Sequence, residues 1–171
     1  LEQFGCFVDI GCGIPSLIPI DAISVSRISH PSDRFYINQD IKAVVKDVCC
    51  NRVWLSHKEL LGTWEQNASL FNAGETVAGI VRSVESYGIF IELTPNLAGL
   101  SEFKEGVLVG QNASVYIKAL IPEKMKVKLV IVDVFNAEYP QPPLEYFIHD
   151  DHIDYWKYTT DVSNKVIETK F

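Results

Sequence analysis

An all-β protein made of two small barrels in tandem is what the sequence predicts, and two internal echoes predict it. Phe4-Gly5-Cys6-Phe7-Val8-Asp9-Ile10 returns as Tyr87-Gly88-Ile89-Phe90-Ile91-Glu92-Leu93. Gln39-Asp40-Ile41-Lys42-Ala43-Val44-Val45-Lys46 then returns, in the same order, as Gln111-Asn112-Ala113-Ser114-Val115-Tyr116-Ile117-Lys118. Two motifs recurring in one order mean two copies of one domain. A chain of 171 residues, 47% hydrophobic and 22% charged, has the length and composition of an ordinary globular protein of one or two domains.

In the first repeat, strands over 4–10 and 16–20 flank a turn at Gly11-Cys12-Gly13. The stretch from Phe4 to Gln39 covers 35 positions, against 24 from Tyr87 to Gln111, so the first repeat carries eleven extra residues. Their pattern leaves helix and irregular loop both open, with a break near Pro31. Residues 40–48 alternate as a strand and 52–57 close the repeat. Over 58–71, Leu60-Leu61, Trp64, Ala68 and Phe71 recur at three- and four-residue steps. That spacing predicts a joining helix with Trp64 as its packing anchor, stopped at Asn72-Ala73-Gly74.

The second repeat supplies five strands, over 76–84, 88–93, 99–102, 113–120 and 126–134. The counterpart of 76–84 would precede Leu1 in the first repeat, so that repeat is expected to lack its opening strand and to leave a sheet edge unpaired. On this reading the chain is part of a longer protein. After 134 the pattern changes. Tyr139-Pro140-Gln141-Pro142-Pro143 reads as a stiff polyproline-type linker. The tail beyond it holds Tyr146, Phe147, Tyr155, Trp156 and Tyr158, rings that predict packing against the rest, with a candidate strand over 165–171. The chain divides accordingly: first domain 1–58, helical linker 59–73, second domain 74–135, C-terminal extension 136–171.

The ring pairs point to a function. Phe4 and Phe7, like Tyr87 and Phe90, cannot share a face by strict strand alternation unless the glycine between them bends or bulges the chain. Two rings laid on one outer surface make a stacking platform for bases.

The repeats resemble S1-type RNA-binding domains, barrels of the OB-fold class strung together in bacterial ribosomal protein S1. In the second copy the likeness runs from Gly74-Glu75-Thr76-Val77-Ala78-Gly79-Ile80-Val81 through Tyr87-Gly88-Ile89-Phe90 and Asn96-Leu97-Ala98-Gly99-Leu100 to Lys126-Val127-Lys128-Leu129-Val130. In the first copy Arg52-Val53-Trp54-Leu55-Ser56-His57-Lys58 is similar to the family's last strand, and Glu59-Leu60-Leu61-Gly62-Thr63-Trp64-Glu65 to the segment joining successive domains. The resemblance implies tandem five-stranded OB-fold barrels in a non-catalytic, cytoplasmic, bacterial translation- or ribosome-associated protein. Its partner would be single-stranded RNA, messenger or other, weakly held. Carried over by position, the RNA-binding residues are Phe4, Phe7 and Arg52 in the first copy and Tyr87, Phe90 and Lys126 in the second. Lys42, Lys46, Arg82, Lys118, Lys124 and Lys128 could extend the groove.

Two departures oppose this. The family's third-strand histidine falls at Pro19 and Glu102, and its acidic residue before the last strand at Val48 and near Ile121. A carboxylate at Glu102 opposes phosphate. The alternative is therefore a protein-docking or spacer module with degraded RNA sites, seated on the ribosome or another protein.

Charge bounds the affinity. The net charge is −7, but 136–171 holds seven acidic against three basic residues. The repeats are close to neutral, with eight acidic against six basic through Phe71 and seven against six from Asn72 to Phe135. That balance supports weak, salt-sensitive binding. Cys6, Cys12, Cys49 and Cys50 lack paired Cys-x-x-Cys spacing and read as free thiols. His149-Asp150-Asp151-His152 has ligand-like spacing but no third ligand nearby, so it reads as a solvated loop. No metal, cofactor or membrane span is expected, and no phosphate loop, nucleophile elbow or zinc-protease motif points to catalysis.

Overall fold

The computed structural model describes residues 1–136 and 143–171. The tandem repeats emerge as two unequal β-structures. The second is a closed barrel of β5 (Thr76–Glu85), β6 (Gly88–Thr94), β7 (Leu97–Ser101), β8 (Asn112–Ile121) and β9 (Lys126–Phe135), ordered β5-β6-β7-β9-β8. Every pairing is antiparallel except β7 with β9. Alternation sends Val81, Ile89, Ile91, Leu97, Val115 and Ile117 inward to full burial.

The first repeat is a four-stranded sheet of β1 (Gly5–Val8), β2 (Ser16–Pro19), β3 (Val44–Cys49) and β4 (Arg52–Ser56), ordered β1-β2-β4-β3. The order matches β6-β7-β9-β8 of the closed barrel, with the parallel pair again in the middle, β2 beside β4. Among the described residues no strand joins β1 to β3, so both are edges and the sheet stays open between them. Val45 is 54% exposed, whereas its repeat counterpart Ile117 is fully buried.

The extra residues of the first repeat form no α-helix and no strand. They make 3-10 turns at Ile20–Ala22 and Pro31–Asp33 and bond the two repeats together. The Ser26 amide donates to the Pro95 carbonyl at 3.2 Å and the Val25 amide to Asn96 Oδ1 at 2.9 Å. Buried Arg34 reaches buried Glu92, which Arg82 also contacts at 3.0 Å. Asn96 is the hub of the junction: its amide nitrogen donates to the carbonyls of Lys58 and Gly62, both at 2.8 Å, and its own carbonyl accepts the Tyr158 hydroxyl.

The joining helix is shorter than its periodicity predicts. Lys58–Leu61 is a 3-10 turn, Gly62 takes φ 95°, and only α1 (Trp64–Ala68) is α-helical. Thr63 restarts the helix as an N-cap: its hydroxyl accepts the Gln66 amide at 3.2 Å, and Gln66 accepts the Thr63 amide at 2.9 Å. Trp64 is buried as an anchor.

Of the expected linker, Tyr139, Pro140, Gln141 and Pro142 lie outside the described residues. The tail beyond packs on the rest of the chain. The hairpin of β10 (Tyr155–Lys157) and β11 (Glu168–Lys170) brings Trp156 and Tyr158 into the core of the closed barrel, beside Trp64. Thr169 donates 2.9 Å to buried Glu59, which also accepts Ser56 at 2.6 Å. Tyr146 covers the end of β4, where His57 Nδ1 faces the Ile23 carbonyl at 2.7 Å. That geometry makes Nδ1 the proton-bearing nitrogen and leaves Nε2 to accept from Tyr146.

Candidate nucleic-acid interface

Each repeat carries its ring pair on an outer face. Phe4 and Phe7 meet edge-to-face with centroids 5.9 Å apart and are 56% and 57% exposed. Tyr87 and Phe90 repeat the arrangement at 6.1 Å, with Tyr87 68% exposed. Phe4 and Tyr87 sit just ahead of β1 and β6, in the approach to the strand, which is how residues three apart come to share one side. The glycine between them is required by the neighbouring strand. A Cβ on Gly88 would lie 2.6 Å from the Ser101 carbonyl oxygen, and one on Gly5 would crowd that of Ile18 still more.

In the first repeat the rings border a pocket of about 220 Å³ that also takes in Pro15, Leu17, Arg52, Val53 and Trp54. The three residues singled out in this copy, Phe4, Phe7 and Arg52, thus come together. Two more join them that the repeat comparison missed. Leu17 and Trp54 are register partners across the parallel β2–β4 pair. Along β4, Val53 and Leu55 are buried while Arg52 and Trp54 turn outward, so alternation from Arg52 was the signal for Trp54.

In the second repeat the same positions are held by Leu100 and Lys128, register partners on β7 and β9. Lys126 and Lys128 alternate outward around buried Val127, on the side away from the core. Glu102, one residue past β7, is exposed beside this face, where the first repeat has Pro19 paired to Gly5. Both acidic and basic side chains therefore flank the second ring pair.

Two cations expected to extend the groove are engaged elsewhere. Arg82 is held by Glu92 and the Asp33 carbonyl in the junction between repeats. Lys42 lies over the Tyr146 ring, 5.8 Å from its centroid. Lys46, Lys118 and Lys124 are exposed. Among the described residues no group of three or more His, Cys, Asp or Glu is placed to hold a metal. The cysteines are all unpaired, with burial raising the Cys6 thiol pKa. No described helix is long and apolar enough to cross a membrane.

Residues 1–58 match the S1 RNA binding domain family. The chain is 34% identical over 144 residues to the small ribosomal subunit protein bS1 homolog of Bacillus subtilis, an alignment spanning 81% of this chain and 36% of that protein. It is 28% identical over 146 residues to small ribosomal subunit protein bS1 of Chlamydia muridarum, covering 77% of this chain and 26% of the relative. With the Staphylococcus aureus protein of the same name it shares 32% identity over 108 residues, 61% of this chain and 27% of the other. The chain therefore spans about a third or less of the length of these relatives.

Proposed function

We propose that the two repeats, of which residues 1–58 match the S1 RNA binding domain family, form a non-catalytic module holding single-stranded RNA by base stacking and phosphate contact. The observation that carries this reading is the first-repeat pocket, where two exposed rings and Arg52 line one cavity. Rings stack on any base and cations hold phosphates, so such a face binds RNA with little sequence preference. The second face, with Tyr87, Phe90 and Lys126, repeats the plan. The relatives' names support a place in translation, on or near the ribosome and hence in the cytoplasm.

Domain boundaries at 58 and 74 fit this reading as structural units, but Arg34–Glu92 and the Asn96 hydrogen bonds join the units. The proposed module therefore presents both faces on one scaffold.

Glu102 and the net charge of −7 favour a second reading, a docking or spacer module whose RNA contact lies in other domains. Titrating labelled single-stranded oligonucleotides at two salt concentrations separates them. The RNA reading expects weak binding that falls as salt rises; absence of binding at low salt leaves the docking reading.

A further inference from the structure

The two ring faces differ at one position in a way that assigns them different work. The β4 residue that partners Leu17 is Trp54; the β9 residue that partners Leu100 is Lys128. Trp54 and Leu17 share the first pocket with both phenylalanines, whereas Lys128 stands beside exposed Lys126. We infer that Trp54 is a further base-stacking residue of the first face, which captures a nucleobase, while Lys126 and Lys128 weight the second face towards phosphate contact.

The surroundings of Trp54 fit a base and disfavour a phosphate. Its partner across the antiparallel pair is Asp47, exposed and acidic, so an anion entering beside the indole meets a carboxylate. The lining is otherwise apolar, with Arg52 as its one cation. At about 220 Å³ the pocket is smaller than the roughly 300–1,000 Å³ of sites that enclose larger ligands, which suits a single inserted ring. On the second face two cations stand where the first has one cation and an indole, and among the described residues no ion pair holds either lysine.

This inference rests on the RNA reading above, and fluorescence distinguishes its failure from that of the reading. Trp64 and Trp156 are buried in the core and Trp54 is the partly exposed tryptophan, so quenching by a ligand reports on the first pocket. A single-stranded oligonucleotide, with binding followed separately by anisotropy, should quench tryptophan emission in step with binding. An abasic oligonucleotide of equal length should bind more weakly and leave emission unchanged. Trp54→Phe should abolish the quench while keeping the salt dependence, and Trp54→Ala should weaken binding by about five- to a hundredfold, the loss of one stacked base. The double change Lys126→Ala, Lys128→Ala should reduce the salt slope by about two counterions and leave the quench in place. Binding by anisotropy with unchanged emission would overturn the inference alone. No binding at low salt would overturn the RNA reading and this inference with it. Circular dichroism of Trp54→Phe checks that the sheet is retained, and a quench that persists in that variant also overturns the assignment.

Discussion

Tyr146, carried by the C-terminal extension, sets its hydroxyl 3.1 Å from Nε2 of His57 at the end of β4. The Lys42 amide donates to the same oxygen at 3.2 Å, so the hydroxyl accepts from the backbone and donates to the imidazole. The histidine is neutral in this arrangement. Burial, with the nearby Arg34 charge adding to it against the opposing hydrogen bond to Ile23, lowers its pKa to about 4.

A pH dependence follows. Protonation is favoured in the unfolded chain, where the histidine pKa is about 6.5. The stabilisation is fully present above that value and is lost as pH falls from about 6.5 towards 4. The full shift corresponds to roughly 3 kcal/mol. Urea unfolding at pH 7.5 and pH 4.5 should show the loss, and His57→Gln should be less stable at pH 7.5 but flatter between the two. A variant as steep as the wild type would place the titrating group elsewhere.

Glu92 is buried between Arg34 and Arg82, and replacing it leaves two guanidiniums without their carboxylate. Glu92→Gln should destabilise the fold by about 3–5 kcal/mol, the usual cost of breaking a buried pair from one side. Arg34→Met should cost less, because Arg82 still answers Glu92. Denaturation midpoints of the two variants check the order, and equal small losses would mean the junction contributes little.

Removing residues after Asn136 should strip Trp156 and Tyr158 from the barrel core and uncover Trp64. The loss of two buried rings, each worth roughly 3–5 kcal/mol when cut to alanine, predicts a sharply lower Tm and a tendency to aggregate. A thermal melt of the shortened chain that superimposes on the full one would show the contacts to be dispensable.

On the second face, Tyr87→Ala and Phe90→Ala should each weaken oligonucleotide binding by roughly 1–3 kcal/mol. Lys126→Ala should instead flatten the salt dependence by about one counterion. Glu102→Gln should tighten binding, since it removes a carboxylate from beside the face. The sign of that last change is the decisive readout, because a docking module expects no effect on RNA.

The strands of the closed barrel were legible to within two residues because each has one face in the core, and that period shows in the local sequence. What escaped is governed by distant partners. Nothing near Arg34 in the chain announces Glu92, 58 positions on, or ties Val25 to Asn96, 71 positions on. The helix over 58–71 was over-extended because its apolar spacing is real, yet Asn96 draws off the carbonyls of Lys58 and Gly62 that a continuous helix would use. Arg82 looked like a groove cation for the same reason: its acceptor is ten residues away on the next strand and already committed to Arg34. The ring pairs were readable because glycine and both rings are adjacent in sequence. Trp54 was within reach of alternation from Arg52, but its pairing with Leu17 needed the register between β2 and β4.

The asymmetry between the two sheets should be felt in time as well as in space. In the closed barrel each strand is held by two ladders, so no strand can peel away without breaking both. In the open sheet β1 and β3 each hang on one. Fluctuations at the ring-bearing strand β1 therefore run at a lower free energy than any in β6, and deuterium should enter its amides by local opening while the inner ladders of the barrel wait for the whole molecule to unfold. In this 171-residue chain, of two faces built to one pattern, the one with the tryptophan borders the less protected strand and the one with the lysines the more protected sheet.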